Sequence, residues 1–238
     1  MIDLHCHILP GIDDGPSDPA VSMTMARIAA ADGITRIVAS PHFSSNGDLS
    51  TDRIREVCLG LGIMIRQEGL PLELVPAADV RLTYELSALI EAGSVPVING
   101  SRYFLLELPD LIPPNVENLL FAAKVKGYAP VITHPERNYS LLASPEKADA
   151  LRKADVLFQV TAMSITGGFG PAVKSYSRML LQRGYVDFIA TDAHDDVNRA
   201  PVLSAAREEV AGMLGSKKTD RIFYSNPEAV LENREVAH

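Results

Sequence analysis

The sequence is poor in cysteine and has no long apolar run. Cys6 and Cys58 are its only cysteines and show no pairing pattern, which favours a reducing compartment. No stretch approaches the roughly 20 uninterrupted apolar residues that a membrane-spanning helix needs. No basic start with an apolar run precedes the first motif, as a secretory signal would require. We therefore expect a soluble, cytoplasmic protein without membrane insertion.

Positive charge is also scarce. The chain has 22 Lys and Arg against 30 Asp and Glu, which gives a formal net charge of -8. Proteins that bind nucleic acids hold the phosphate backbone with an excess of Lys and Arg, so this balance argues against a nucleic-acid partner. If the substrate is anionic, we expect metal ions to neutralise it.

The 238 residues suit one large domain, which we expect to span residues 1–238. Strand-like and helix-like segments alternate along the chain, and this alternation is typical of a parallel sheet with helices outside it. No glycine-rich phosphate turn follows the first strand, which favours a distorted, closed, seven-stranded (β/α) TIM-like barrel over a doubly wound open sheet. The predicted strands are residues 1–4, 34–39, 72–76, 103–107, 129–134, 156–160 and 186–191.

The first strand leads directly into two histidines, His5 and His7. Residues two apart on a strand face the same way, so both imidazoles can bind one cation. Cys6 lies between them and faces the other side, which favours packing in the core over a role as nucleophile.

Candidate ligands lie at or just after the carboxyl ends of five of the other six strands, and in a barrel these ends form one face. The strand at 156–160 is the one whose end offers no obvious ligand. Two alternatives stay open: an Asx turn explains one of the pair Asp13 and Asp14, and Asp79 could cap the following helix. The full set is too large for one tetrahedral zinc, so two or three divalent ions fit better, and Mn, Fe and Zn are all admissible. The candidate ligands are His5, His7, Asp14, His42, Asp79, Glu107, His134, Asp192 and His194.

Clustered divalent ions neutralise an anionic substrate and generate hydroxide from bound water, which predicts phosphoester hydrolysis. Arg137 follows His134, and a guanidinium suits two-point contact with phosphate oxygens. The alternative for Arg137 is a surface salt bridge with Glu136, and the sequence leaves the two interpretations even.

These motifs, taken together and in order, resemble the polymerase and histidinol phosphatase (PHP) superfamily. More closely, they resemble its bacterial protein-tyrosine phosphatases of capsule and exopolysaccharide biosynthesis. The resemblance covers nearly the whole chain and includes Ser101-Arg102-Tyr103 and Asn226-Pro227. Its main motifs are residues 1–7, Asp13-Asp14-Gly15-Pro16, Glu107, residues 134–137 and Thr191-Asp192-Ala193-His194.

The resemblance implies a seven-stranded PHP barrel with a trinuclear, usually manganese-dependent centre. It implies that metal-bound hydroxide attacks phosphotyrosine on the tail of a partner tyrosine kinase of polysaccharide export, with the nine residues above as ligands and Arg137 holding the phosphoryl group. The family usually has glutamate where this chain has Asp79. The sequence around His42 also differs from the family's forms, and we expect the loop after Phe43 to be specific to this chain.

Other functions are weighed against this one. The runner-up is a small-molecule phosphatase of the same superfamily, such as one acting on histidinol phosphate. An amidohydrolase would commonly carry a bridging lysine on its fourth strand, where this chain has Glu107. A catalytically silent regulator of a kinase is disfavoured because every ligand position is filled, and a homo-oligomer stays open.

Overall fold

The computed structural model describes residues 1–44 and 49–237, so the loop expected to be specific to this chain, residues 45–48, lies outside the described residues. Within the described part, nine strand segments alternate with eleven α-helices. The strands are β1 Ile2–Cys6, β2 Arg36–Ala39, β3 His42–Phe43, β4 Glu73–Pro76, β5 Asp79–Arg81, β6 Tyr103–Glu107, β7 Ala129–Thr133, β8 Leu157–Thr161 and β9 Phe188–Ala190.

The helices lie between and after these strands, as the alternation predicts. Short helical turns at Ile98–Gly100, Pro135–Arg137 and Arg221–Ser225 complete the described elements. The α-helices are α1 Pro19–Ala31, α2 Thr51–Gln67, α3 Leu86–Ala92, α4 Val116–Val125, α5 Tyr139–Ala143, α6 Lys147–Lys153, α7 Ala162–Thr166, α8 Pro171–Gln182, α9 Ser204–Leu214, α10 Ser216–Asp220 and α11 Asn226–Leu231.

Local chemistry explains several of these boundaries. Asp18 caps α1 by accepting a hydrogen bond from the Ala20 amide at 2.8 Å, and Pro19 occupies the first helical position. Gly93 ends α3 in the left-handed conformation, with φ 68°. The described residues contain no helix that is both long enough and apolar enough to cross a membrane.

All strand pairs are parallel and form two sheets, β1-β2-β4 and β3-β5-β6-β7-β8-β9. The strands predicted at 34–39 and 72–76 are observed as β2 and β4, and each is followed by a further short segment, β3 or β5, that the sequence did not predict, so the structure describes nine segments. Ser40 and Pro41 separate β2 from β3, and Ala77 and Ala78 separate β4 from β5. Proline cannot donate to the ladder, and Pro41 lies at the first break while Pro76 precedes the second.

Between β1 and β9, the described chain has an isolated bridge, Cys6 with Ala193, in place of a continuous ladder. Two backbone hydrogen bonds support it, from the His7 amide to the Ala193 carbonyl at 2.9 Å and from the Asp192 amide to the His5 carbonyl at 2.8 Å. This contact brings the first histidine motif against the last one.

Two hydrophobic clusters lie on opposite faces of the strands. The larger cluster packs the helices against residues such as Ile37, Phe104 and Phe158. The smaller cluster contains residues from seven strand segments that face the other side of the sheets, as the two-residue period of a strand requires. Its strand members are Ile2, Leu4, Val38, Val75, Tyr103, Leu105, Val131, Leu157 and Phe188.

Candidate metal centre

The five histidines at positions 5 to 194 come together where the carboxyl ends of the strands meet. The His7 ring is central, with its centroid 3.9 Å from that of His194, 4.6 Å from that of His42 and 5.1 Å from that of His5. The His134 ring lies 5.8 Å from the His5 ring. The parallel strand order therefore gathers residues that are up to 189 positions apart in the sequence.

Eight of the nine candidate ligands fall into three overlapping groups, and in each group the ligand atoms lie within 4.8 Å of one another. The ninth, His134, has its Nε2 3.9 Å from Oδ2 of Asp79 and 4.0 Å from Oε1 of Glu107. The groups are His7, Asp14, His42 and His194; His5, His7 and Asp192; and His42, Asp79 and Glu107.

His5 and His7 are oriented by partners on their Nδ1 atoms. Oε1 of Gln159 lies 2.8 Å from Nδ1 of His5, and Oδ2 of Asp13 lies 2.6 Å from Nδ1 of His7. Each acceptor favours a proton on Nδ1, so both Nε2 atoms face inward, 3.0 Å apart. Two lone pairs at this distance repel, and a proton or a cation must lie between them.

The pKa values agree with this arrangement. Burial lowers the pKa of His5 to about 3, so this imidazole is neutral and can coordinate a cation. Burial also disfavours a charged His7, but the Asp13 and Asp192 carboxylates outweigh it and raise the pKa to about 10. A cation at Nε2 of His7 would take the place of that proton.

Asp79 supplies a buried carboxylate oxygen without a hydrogen-bond partner. Its Oδ1 accepts a hydrogen bond from the Thr133 hydroxyl at 3.1 Å, whereas its Oδ2 has no such partner among the described residues. Burial and the nearby Glu107 carboxylate raise the pKa of Asp79 well above its ordinary value. An unpaired buried carboxylate is costly, and a divalent cation would remove that cost. The donor set therefore fits metal ions.

The structure also decides between the interpretations that the sequence leaves open for the acidic residues. Asp79 lies in β5 and is fully buried, so it does not cap a helix. Asp13 makes the Asx turn, accepting from the Gly15 amide at 3.1 Å and from the His42 amide at 3.0 Å. Asp14 has a 65% exposed side chain, and its Oδ1 lies 3.5 Å from Nε2 of His194 and 3.7 Å from Nε2 of His42.

Two residues of the site adopt the left-handed backbone conformation without being glycine. They are His134, with φ 36°, and Asp192, with φ 51°, and each follows the end of a strand. Such residues are uncommon, and they persist where the surrounding structure holds them at functional sites.

Cys6 is fully buried on the helix-facing side of β1, as the alternation of the strand predicts. Burial raises the pKa of its thiol well above the ordinary value, which keeps it in the neutral form. Cys6 therefore lacks the thiolate character of a nucleophile.

Arg137 lies at the rim of the site and donates from Nη2 to Oδ2 of Asp192. The alternative, a surface salt bridge with Glu136, is wrong. Glu136 is fully buried, and its Oε1 accepts from the Thr161 amide at 3.0 Å and from the Ser164 hydroxyl at 2.6 Å. Arg137 is thus held beside the candidate ligands.

Arg199 places a second guanidinium at the site, and no pattern in the sequence predicted it. Its Nη2 donates to Oδ2 of Asp192 at 2.7 Å and to the Asp192 carbonyl at 2.8 Å. Both guanidiniums line a polar pocket of about 270 Å³ with His134, His194 and Asn138. This pocket can hold an anion between metal ligands and arginines.

Gln159 was also missed, because the sequence shows β8 as the one strand whose end offers no obvious ligand. A signal was present, since Gln159 is a polar residue inside the apolar run Leu157–Val160. Arg199 gave no comparable signal, because its approach to Asp192 depends on the path of the loop after β9.

The fold and the site together define the class of this protein. It is a parallel α/β protein that gathers imidazoles and carboxylates in one cluster, with two guanidiniums at the rim. The family model for capsular polysaccharide synthesis proteins, CpsB/CapC, matches residues 1–232, and the chain belongs to this family.

Individual relatives agree with the family assignment. Tyrosine-protein phosphatase YwqE of Bacillus subtilis (strain 168) is 36% identical over 239 residues, covering 99% of this chain and 93% of that protein. A crystal structure from work on YwqE from Bacillus subtilis and CpsB from Streptococcus pneumoniae, described as unique metal-dependent tyrosine phosphatases, matches with a TM-score of 0.93. It is 33% identical, and the match covers 100% of this chain and 96% of that one.

A more distant match concerns the fold alone. Histidinol phosphate phosphatase from Lactococcus lactis, in complex with zinc, L-histidinol and phosphate, matches with a TM-score of 0.55 at 13% identity. The match covers 93% of this chain and 94% of that one.

Proposed function

We propose that this chain is a metal-dependent protein-tyrosine phosphatase. The observation that carries the proposal is the convergence of nine imidazole and carboxylate side chains, six of which line one polar pocket together with two guanidiniums. The family assignment and the tyrosine phosphatase relatives support the same activity.

The proposed metal ligands are those of the sequence analysis, His5, His7, Asp14, His42, Asp79, Glu107, His134, Asp192 and His194. The three donor groups share His7 and His42, which supports two or three divalent ions, and mixed imidazole and carboxylate donors suit manganese, with iron or zinc as alternatives. Bound divalent ions would neutralise the phosphate and lower the pKa of a water molecule so that it can attack phosphorus. The protein's part is to keep protons on the outer ring nitrogens, with Gln159 at His5 and Asp13 at His7.

Arg137 and Arg199 are proposed to hold the phosphoryl oxygens. Both line the pocket, and a guanidinium can donate two parallel hydrogen bonds to a phosphoryl group. As charge redistributes in the transition state, these donors stabilise the equatorial oxygens.

For the substrate, we propose phosphotyrosine on a bacterial tyrosine kinase of polysaccharide export. The capsular polysaccharide synthesis family supports this partner. The test is the purified protein, loaded with manganese, against phosphotyrosine peptides, phosphoserine peptides and histidinol phosphate at equal concentrations. Preference for phosphotyrosine is expected, whereas faster turnover of histidinol phosphate would point to the small-molecule phosphatase.

The finer description of the fold is also proposed. If β2 continues into β3 and β4 into β5, the nine segments make seven strands, and the Cys6 to Ala193 bridge closes them into one distorted barrel. The small cluster with members on seven segments is consistent with a barrel interior. A single domain over residues 1–238 and a cytoplasmic location stay predictions, and the free thiols of Cys6 and Cys58 agree with the location.

The first prediction concerns Cys6. Changing Cys6→Ala, or treating the protein with a thiol-alkylating reagent, is expected to leave turnover of a phosphotyrosine peptide nearly unchanged, because the buried neutral thiol takes no part in the reaction. Steady-state kinetics and metal content, measured on the same preparations, check this. Loss of turnover at unchanged metal content in Cys6→Ala would contradict the assignment.

The second prediction concerns Asp13, which accepts from His7 but is not itself a proposed ligand. Asp13→Asn removes the charge that holds the Nδ1 proton of His7, and such outer partners typically contribute about 10- to 100-fold to metal affinity. We expect a loss of that order in a manganese titration. The matched control is Asp18→Asn at the N-cap of α1, where asparagine caps equally well and metal binding should not change.

A further inference from the structure

Phe169 lies against both arginines of the pocket. The ring centroid is 4.7 Å from Cζ of Arg137 and 5.8 Å from Cζ of Arg199, and both distances fall in the range of cation–π contacts. The Phe169 side chain is half-buried. One aromatic ring therefore contacts two cationic side chains that are 62 positions apart in the sequence.

The two guanidiniums share one hydrogen-bonded carboxylate oxygen. Nη2 of Arg137 and Nη2 of Arg199 both donate to Oδ2 of Asp192. This shared acceptor brings two like charges close together, and they repel each other. The face of an aromatic ring carries partial negative charge and offers both cations a second favourable contact.

The loop that carries Phe169 is shaped by glycines on either side of it. Gly167 and Gly170 have φ values of 97° and 91°, which side chains with a Cβ rarely adopt. The amide of Gly170 donates to the carbonyl of Gly167 at 3.0 Å and closes the turn. This turn joins α7 to α8 and presents Phe169 to the arginines.

We propose that Phe169 is a positioning residue that holds Arg137 and Arg199 in the orientation in which they meet the phosphoryl group. That the guanidiniums bind a phosphoryl group rests on the proposed phosphatase function. The contact of Phe169 with the two guanidiniums does not depend on that function. Phe169 contacts the two arginines, and its effect on turnover passes through them.

The kinetic test compares Phe169→Leu with Phe169→Tyr in the manganese-loaded full chain. Leucine removes the aromatic face, and kcat for a phosphotyrosine peptide is expected to fall about tenfold with little change in KM. Tyrosine keeps the face and should restore most of the rate. Phe121→Leu, at a 69% exposed phenylalanine on α4, is the matched control and should be neutral.

The same substitution is then made in an Arg137→Ala background. If Phe169 acts through the arginines, Phe169→Leu should cost much less there than in the wild-type chain, because one of its two cations is already gone. An equal loss in both backgrounds, or a Phe169→Tyr variant as slow as Phe169→Leu, would overturn the proposal.

A second measurement detects the stacking of Phe169 on the arginines without an enzymatic assay. The chain has no tryptophan, so Phe169→Trp introduces a single indole, whose fluorescence can be excited separately from that of the seven tyrosines. Quenching by acrylamide is expected to increase when Arg137→Ala and Arg199→Ala are added, since the indole loses the guanidiniums that cover it. Unchanged quenching would refute the stacking. Increased quenching, together with a manganese-loaded wild-type chain that hydrolyses no phosphotyrosine, would support the stacking and refute the phosphatase function instead.

Discussion

Chelation of divalent ions is expected to abolish hydrolysis of phosphotyrosine, and manganese is expected to restore it. Metal ions contribute several kcal/mol of transition-state stabilisation, and each 1.36 kcal/mol is a factor of ten, so the loss should be about a thousandfold or more. The fit of the site supports this expectation, because Oδ2 of Asp79 is buried without a hydrogen-bond partner among the described residues and Nε2 of His5 faces Nε2 of His7 at 3.0 Å.

The measurement is steady-state turnover before chelation, after chelation and after addition of manganese, iron or zinc in separate arms, with metal content determined by elemental analysis. The unfolding temperature gives an independent readout, since ions that bind only the folded chain should raise it. Full activity in protein shown to contain no metal would refute the proposed centre.

Arg137→Ala is expected to give the largest loss for a single substitution outside the proposed ligands. Removal of one donor that stabilises transition-state charge typically costs a factor on the order of 100 to 1,000 in rate. Fold and metal content should stay unchanged, because Arg199 still donates to Asp192 at 2.7 Å. Arg137→Lys should recover only part of the rate, since an ammonium keeps the charge but not the planar two-point contact.

The control for Arg137 is Arg183→Ala. This change removes a surface ion pair in which Nη1 of Arg183 lies 2.8 Å from Oδ1 of Asp149. Exposed pairs of this kind contribute about 1 kcal/mol or less to stability, so kinetics should not change. Kinetics on one phosphotyrosine peptide, with metal content measured alongside, compares the three variants with wild type. Wild-type turnover by Arg137→Ala would refute its role at the phosphoryl group.

Much of the fold follows from local pattern. The strand predicted at residues 103–107 is observed as Tyr103–Glu107, and α1 begins where the Asp18 cap and Pro19 place its first turn. Short β-branched runs, N-caps and glycines act over a few residues, and the sequence displays them directly. The short segments β3 and β5 were not predicted, since their pairing depends on backbone hydrogen bonds between distant parts of the chain, as from the Asp79 amide to the Pro41 carbonyl.

The candidate ligands were predictable as a set because parallel strands bring their carboxyl ends to one face. Once the alternation of strands and helices is recognised, His42, His134 and His194 must approach the first histidine pair. Which of the two neighbouring aspartates is a candidate ligand and which one orients a histidine was not predictable. Asp13 and Asp14 are adjacent and chemically identical, yet one holds Nδ1 of His7 and the other lies beside His42 and His194.

The sequence by itself determined the residue types at the strand ends, the order of the elements and the core-facing side of Cys6, because these depend on local geometry and on the two-residue period of a strand. Only the tertiary structure decided that Gln159 orients His5, that Arg137 and Arg199 share Asp192, and that Phe169 contacts both guanidiniums. These contacts join segments far apart in the chain, and their geometry depends on how the sheets and helices pack together.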